Sequence, residues 1–408
     1  GVSTMKRTMI EDSSKTSSGN YDHTYFSEIG SGKTFTNELQ LQFKRDGYSF
    51  VLGGGSNDQL MNFISNYYSP YYVSYENLDS LKLASRTQSV FALAELNGKL
   101  ISEKAKAFSI SFGGRDNHNN TFGNNITYQV NPMIKVNATS SLYANISSGY
   151  NAPSLYQLHA PDIYSATSGI TLGNVNLRPE KSITKEIGIA QKIDEHSGIR
   201  IGYFKTEVND IVEYVDLYNK NAPVASLTSS DYYGSTYLNL GKLTSEGVEI
   251  EMHGALGKKV FISGNYSYLR GKELFSDNSI DTVKTRNNHI RVSTGDFLTK
   301  NVVSNGLTRR PSTANISLTY YPVKKVFCKA LVKYVSKRSD VNVDYSMTPY
   351  SNLVLGAYTL VDFISGAKLN ENLSVFMRVE NIFNVSYTEI LGYSTRGRGI
   401  YFTVNYNF

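Results

Sequence analysis

The chain has 408 residues and a formal net charge of +6, with 31 Tyr, 19 Phe, 32 Gly, 9 Pro and no Trp. No stretch approaches the ~20 continuous apolar residues of a membrane helix, so helical membrane proteins are excluded. No Lys/Arg cluster interleaved with aromatics marks a nucleic-acid surface, and Ser, Thr, Asn and aromatics suit pleated surfaces and polar loops rather than helices.

Sixteen candidate strands follow in chain order, near residues 2–10, 32–44, 47–60, 86–97, 105–115, 121–132, 138–150 and 180–193. The others are near 198–214, 235–254, 259–272, 309–321, 325–340, 355–368, 372–384 and 397–408. Period-2 alternation carries the assignment. In FTNELQLQFK, Leu39, Leu41 and Phe43 share one face, and Glu38, Gln40, Gln42 and Lys44 the other. FSISF at 108–112, ANISLTY at 314–320 and LSVFMRVE at 373–380 repeat the pattern. Strands of ~9–11 residues with one apolar and one polar face are the units of a transmembrane β-barrel. The short GGG run at 53–55 reads as room for packing against an internal domain or for tight strand curvature.

A soluble sandwich also alternates, but its links have no reason to sort by length. Here short turns at 45–47, 322–325 and 370–372 alternate with long polar links at 61–85, 151–179, 215–234 and 273–308. That is the two-rimmed pattern of an outer-membrane barrel. One stretch resists: the apolar face between Leu238 and Val248 would carry Lys242, Thr244 and Glu246, which requires a bulge or a height above the membrane. Cys328, the one cysteine, reads as a packed or lipid-facing strand position. Glu249 with Glu251, and Arg378 with Glu380, read as charges on a wet wall. Residues 115–125, RDNHNNTFGNN, offer oxygen ligands without the acidic count of a calcium site, and read as a polar outer loop. No nucleophile elbow, zinc helix or phosphate loop is present, so an enzyme is not expected, and no cofactor is implied. The chain ends on the alternating aromatic strand IYFTVNYNF at 400–408, which resembles the terminal strand of outer-membrane barrels.

Two segments resemble the TonB-dependent receptors. One is SSGYNAPSLYQLHAPDIYS at 147–165 with GNVNLRPEKSITKEIGI at 173–189; the other is NLSVFMRVENIFNVSYTEILGYSTRGRGIYFTVNYNF at 372–408. The resemblance implies a 22-stranded barrel around an N-terminal plug. About sixteen strands and no plug or TonB-box segment are legible, so 1–408 reads as a partial barrel, with the first strands and the plug supplied by the remainder of the same receptor. The closing YTEILGYSTRGRGIYF and the NAPSLYQL segment resemble most the cobalamin receptors, which implies cobalamin import with TonB-supplied energy across the outer membrane. Haem or siderophore receptors are the nearest alternatives, and a sixteen-stranded passive porin or an adhesive barrel the alternatives of another class. Implied partners are the TonB energy-coupling complex, outer-membrane lipid and a surface lipoprotein that hands over ligand. The expected ligand contacts are Tyr71, Tyr72, Asn151, Tyr156, Gln157, His159, Tyr232 and Tyr393. Tyrosine supplies rigid area and a hydroxyl at low entropic cost. His159, in a loop between the two boxes, is the residue that would ligate haem iron.

Overall fold

The computed structural model describes residues 1–13, 24–69, 72–161, 171–276, 280–292, 295–298, 302–304, 310–341 and 352–407. Sixteen long strands form one antiparallel meander. They are β1 Val2–Ser13, β2 Thr24–Arg45, β3 Tyr48–Ser69, β4 Ala84–Asn97, β5 Phe108–Asn119, β6 Gly123–Lys135, β7 Ser140–Asn151 and β8 Glu180–Lys192. There follow β9 Gly198–Asn209, β10 Lys242–Leu256, β11 Val260–Phe275, β12 Thr313–Val323, β13 Val326–Val335, β14 Tyr358–Lys368, β15 Leu373–Glu380 and β16 Gly399–Tyr406. Each pairs with the next in sequence. Among the described residues no pairing joins β1 to β16.

The two faces sort as the alternation demands. Leu39, Leu41, Leu52, Val90, Ile126, Ile187, Phe402 and Val404 stand exposed on the apolar face, the signature of a surface meant for lipid. The opposite face carries Ser49, Glu95, Ser111, Asn131, Asn145, Glu186 and Arg200, which line one concavity running from β2 to β9. A concavity shared by eight strands means that the sheet curls toward its polar side. Arg115 is held there by Ser89 Oγ at 2.6 Å and Glu38 at 3.5 Å, with its guanidinium 5.0 Å over the Phe91 ring. The Phe91 ring itself covers Gly53, where a Cβ would sit 2.3 Å from it. The glycine run is therefore a seat for an aromatic of the next strand. Glu249 and Glu251 are exposed on the same face, where Arg378 pairs with Glu380 at 3.2 Å. Cys328 is half-buried, its sulfur 3.8 Å from Ser365 Oγ.

Several sequence boundaries move. β3 continues to Ser69 because β2 begins at Thr24 and supplies a partner for every residue up to Tyr68, Gly30 opposite Phe63 and Tyr25 opposite Tyr68, while Ser69 pairs with Tyr72. Residues 61–69 are thus ladder rather than loop. Their Asn, Ser and Tyr content suggests a link, but backbone pairing is indifferent to it. Residues 115–125 are not a long outer loop either. They are the ends of β5 and β6 around the turn 120–122, with Asn119 accepting from the N–H groups of Thr121 and Phe122 and donating to Ser85 and Thr87. These amide oxygens already serve the turn. No group of three His, Cys, Asp or Glu able to hold a metal occurs among the described residues.

The expected strands 198–214 and 235–254 are each broken in two. Val212–Tyr218 and Tyr232–Asn239 leave the large sheet and, with His289–Arg291, make a separate three-stranded sheet. The break falls at Gly241, whose φ is +83°; a Cβ there would lie 1.7 Å from the Leu274 carbonyl oxygen. Only glycine permits both. Leu238 and Leu240 therefore turn into a core of their own, and the alternation restarts. Below the break, Lys242 pairs with Glu207 at 2.5 Å, while Glu246 takes Arg270 at 2.6 Å and the Tyr203 hydroxyl at 2.6 Å. These charges satisfy one another at the long-link end of the strands, above the apolar band. The discord in the sequence thus has both remedies, a break and a height.

Candidate functional site

The long links gather at one rim, and two of them build its most ordered structure. After β7, Ser154 caps a helix, α1, at Leu155–His159. Its hydroxyl accepts from the Gln157 N–H at 3.2 Å, and Gln157 Oε1 accepts the Ser154 N–H at 2.9 Å. This reciprocal box satisfies two donors that a helix start leaves open. Leu155 is buried against Phe63, Leu78 and Leu83, and Tyr156 sets its ring edge-on to Phe63 at 5.9 Å. The helix is therefore stitched to the outer end of β3 and the link that follows. His159 is half-buried at the last helical position. Desolvation holds its imidazole below the usual range, because burial disfavours the charged form.

That shift has a sign. A histidine whose folded pKa lies below its unfolded value of about 6.5 stabilises the fold above that pH and loses the contribution as pH falls through the folded pKa. The protection factors of the 155–160 amides are expected to fall as pH drops below the unfolded value of about 6.5. His159→Gln should flatten that fall. An unchanged profile in the variant would assign the effect to another group.

The second box closes the loop onto the small sheet. Asn174 is buried and its Nδ2 donates to the Tyr237 carbonyl at 2.9 Å. Thr236 Oγ1 donates to the Leu172 carbonyl at 3.1 Å, and the Arg178 N–H donates to Asn239 Oδ1 at 2.7 Å. Asn239 Nδ2 returns to the Arg178 carbonyl at 2.9 Å and reaches the Asp210 carbonyl at 2.6 Å. Lys284 Nζ adds bonds to the carbonyls of Thr171 and Gly173 at 2.7 and 2.6 Å. Residues 171–178 are thus a clamp between the links after β7, β9 and β11. Asn174 pairs a backbone carbonyl, while Asn176 Nδ2 donates to Asp281 Oδ2 at 3.2 Å. Inside the clamped sheet, Val215, Leu217, Leu238, Leu240, Phe275, Ile290 and Val292 form one buried cluster.

A clamped mouth above a polar, concave wall invites comparison with known proteins. Residues 4–382 match the family model described as TonB dependent receptor-like, beta-barrel. The chain belongs to this family. The vitamin B12 transporter BtuB of Photobacterium profundum is 24% identical over 299 residues, 72% of this chain and 40% of that protein. The ferric enterobactin receptor of Pseudomonas aeruginosa is 18% identical with a TM-score of 0.58, covering 95% of this chain and 62% of its own. The copper transporter OprC is 14% identical with a TM-score of 0.63, covering 95% and 61%. This chain thus spans 40% to 62% of the length of these proteins.

In receptor-barrel terms, the expected contacts distribute as follows. Tyr156, Gln157 and His159 lie together on α1, and Asn151 precedes it at the end of β7, donating to Glu180 Oε2 at 2.8 Å. Gln157 spends its side chain on the cap. Tyr232 is across the clamp, its hydroxyl 2.7 Å from Ser235 Oγ and its ring edge-on to Tyr218 at 5.9 Å. Tyr393 stands 74% exposed in the last link. Tyr72 opens the short strand Tyr72–Asn77 opposite Ser69, and Tyr71 lies outside the described residues.

The last link is also fastened. Arg338, 6% exposed, donates to the carbonyls of Thr388, Glu389 and Gly356. Asp340, 1% exposed, accepts the Leu391 N–H at 2.8 Å. Asn381, at φ +48°, bonds Val385 in both directions and starts the turn after VEN. Arg338 and Asp340 carry no sequence signal, since their partners lie some fifty residues away.

Proposed function

We propose that this chain is the barrel portion of an outer-membrane receptor that captures a bulky nutrient at its long-link rim and imports it with energy from the TonB complex. The observation that carries capture is the clamped mouth. Three links held on a shared sheet by buried polar bonds form a preorganised binding surface, which limits the ordering cost of binding. A diffusive pore has no use for that outlay, so the porin reading is disfavoured. Cobalamin is the ligand we infer, supported by the relative named as a vitamin B12 transporter and by the closing segment YTEILGYSTRGRGIYF. Tyr156, Tyr232 and Tyr393 would supply flat contact area around it, with Asn151 at the edge of the mouth. The rest of the same receptor, plug and first strands, would complete the wall, since an open sheet edge is not tolerated in lipid. A surface lipoprotein could deliver ligand to such a mouth.

Haem is the second reading, favoured by one observation: burial keeps His159 neutral, the form that ligates iron. Equilibrium binding of cyanocobalamin and haemin to the intact, detergent-solubilised receptor separates the two. Tight cobalamin binding without haem binding is expected. Haemin binding lost on His159→Ala would overturn the ligand and keep the receptor. Binding of neither would refute both ligands and redirect the search to siderophores.

A further inference from the structure

The chain's positive charge is concentrated at one end of the barrel. The seven short links are 46–47, 98–107, 136–139, 193–197, 257–259, 324–325 and 369–372. Together with the single strand residue on each side, they hold eleven Lys and Arg against five Asp and Glu. That surplus of six equals the surplus of the entire chain, so the remainder is neutral. Every one of the seven links contributes a cation, and all eleven are exposed.

The surplus is carried by two pairs of neighbouring hairpins, 98–107 with 136–139 and 257–259 with 324–325, whereas 46–47 and 369–372 are balanced and 193–197 is net negative. What this rim meets follows from where it lies: it begins where the lipid-facing aromatics end. Phe43, Tyr48 and Phe50 stack at 5.6–6.1 Å on the apolar face, and the Arg45 guanidinium lies 4.8 Å over the Phe43 ring. Interfacial aromatics mark the headgroup level. The densest part is formed by Lys258, Lys259, Lys324 and Lys325 on neighbouring hairpins, joined where the Tyr321 N–H donates to the Lys259 carbonyl at 2.8 Å. Lys259 also donates to the Pro322 carbonyl at 3.0 Å. Among the described residues none of the four is in an ion pair. Elsewhere Lys99 is neutralised by Asp46 at 2.7 Å, and Lys106 lies 3.6 Å from Glu103.

We propose that the short-link rim is a phosphate-binding surface for the anionic phospholipid headgroups of the leaflet it faces, with the four lysines as its principal site. This rests on the membrane placement above and is independent of the ligand. Attraction between anionic lipid and juxtamembrane cations is short-ranged, falling off within about a Debye length of ~8–10 Å, and is weakened by salt.

The test uses the full receptor containing this chain, in micelles doped with phosphatidylglycerol or with phosphatidylcholine. Retained lipid is read by native mass spectrometry. Preferential retention of phosphatidylglycerol is expected, and it should decline with added salt. Changing the four lysines together to glutamine should weaken retention by at least about tenfold, and changing all four to arginine should preserve it. Exposed turn positions tolerate both sets, and an unchanged thermal unfolding transition serves as the check on folding. Equal retention in the glutamine variant, or no preference for the anionic lipid in the parent, would overturn the proposal. Loss of cobalamin binding in the parent would instead count against the ligand assignment and leave this one standing.

Discussion

Phe275→Ala is expected to destabilise the mouth by about 3–5 kcal/mol while leaving the sixteen-stranded sheet folded. Phe275 is fully buried, the last residue of β11, and the largest side chain among the cluster from Val215 to Val292. That cluster unites four separate stretches of chain, and its third strand, His289–Arg291, pairs with Asp216, Leu217 and Tyr218 and adds a single bridge from Arg291 to Phe297. So small a sheet has little else to retain it once a cavity opens. Local opening is read by hydrogen exchange. Amides of 212–218 and 232–239 should exchange roughly a hundred to several thousand times faster, with those of β2 and β3 unchanged. Phe275→Leu keeps most of the volume and should cost less than half as much. Equal protection in the alanine variant would mean that the clamp, and not this core, holds the mouth.

The second large effect concerns a buried charge. Arg291, 4% exposed, meets Asp216 at 2.9 Å and lies 4.8 Å over the Tyr218 ring. Ser235 Oγ donates to the other Asp216 oxygen at 2.7 Å. Asp216→Ala removes the carboxylate 2.9 Å from a guanidinium in a desolvated place, and is expected to cost about 3–5 kcal/mol. Replacing both, as Asp216→Ala with Arg291→Met, should recover most of that loss, because apolar groups of similar volume need no partner. The readout is again exchange at 212–218, together with proteolytic nicking between 219 and 231. A double variant as unstable as the single one would show that the pair contributes more than charge balance. Ligand affinity should follow the folded fraction of the mouth in both series, as it must when only the ordered state binds.

The family motifs were legible because they are local. Asn174, Asn176 and Arg178 stand within five residues, and VEN with its following turn is equally compact. Their structural role was not, since Asn174 and Arg178 are satisfied by residues some sixty positions later, at Tyr237 and Asn239. The candidate contacts show the same divide. Tyr156, Gln157 and His159 fall together because a single helical turn contains them. Their attachment to Phe63 depends on β3 running past residue 60, which a polar composition conceals.

By itself the sequence determined the strand count, the two faces and the sorting of links into a short rim and a long one. Period-2 alternation follows from backbone geometry and needs no partner to be read. Only the tertiary structure decided how the failing alternation between Leu238 and Val248 is resolved. At Gly241 a backbone approach open to no other residue hands the chain from a lipid-facing sheet to a small core above it. Tertiary structure alone also brings Arg291 to Asp216 and Arg338 to the last link, for a buried charge is placed by whichever distant group can satisfy it.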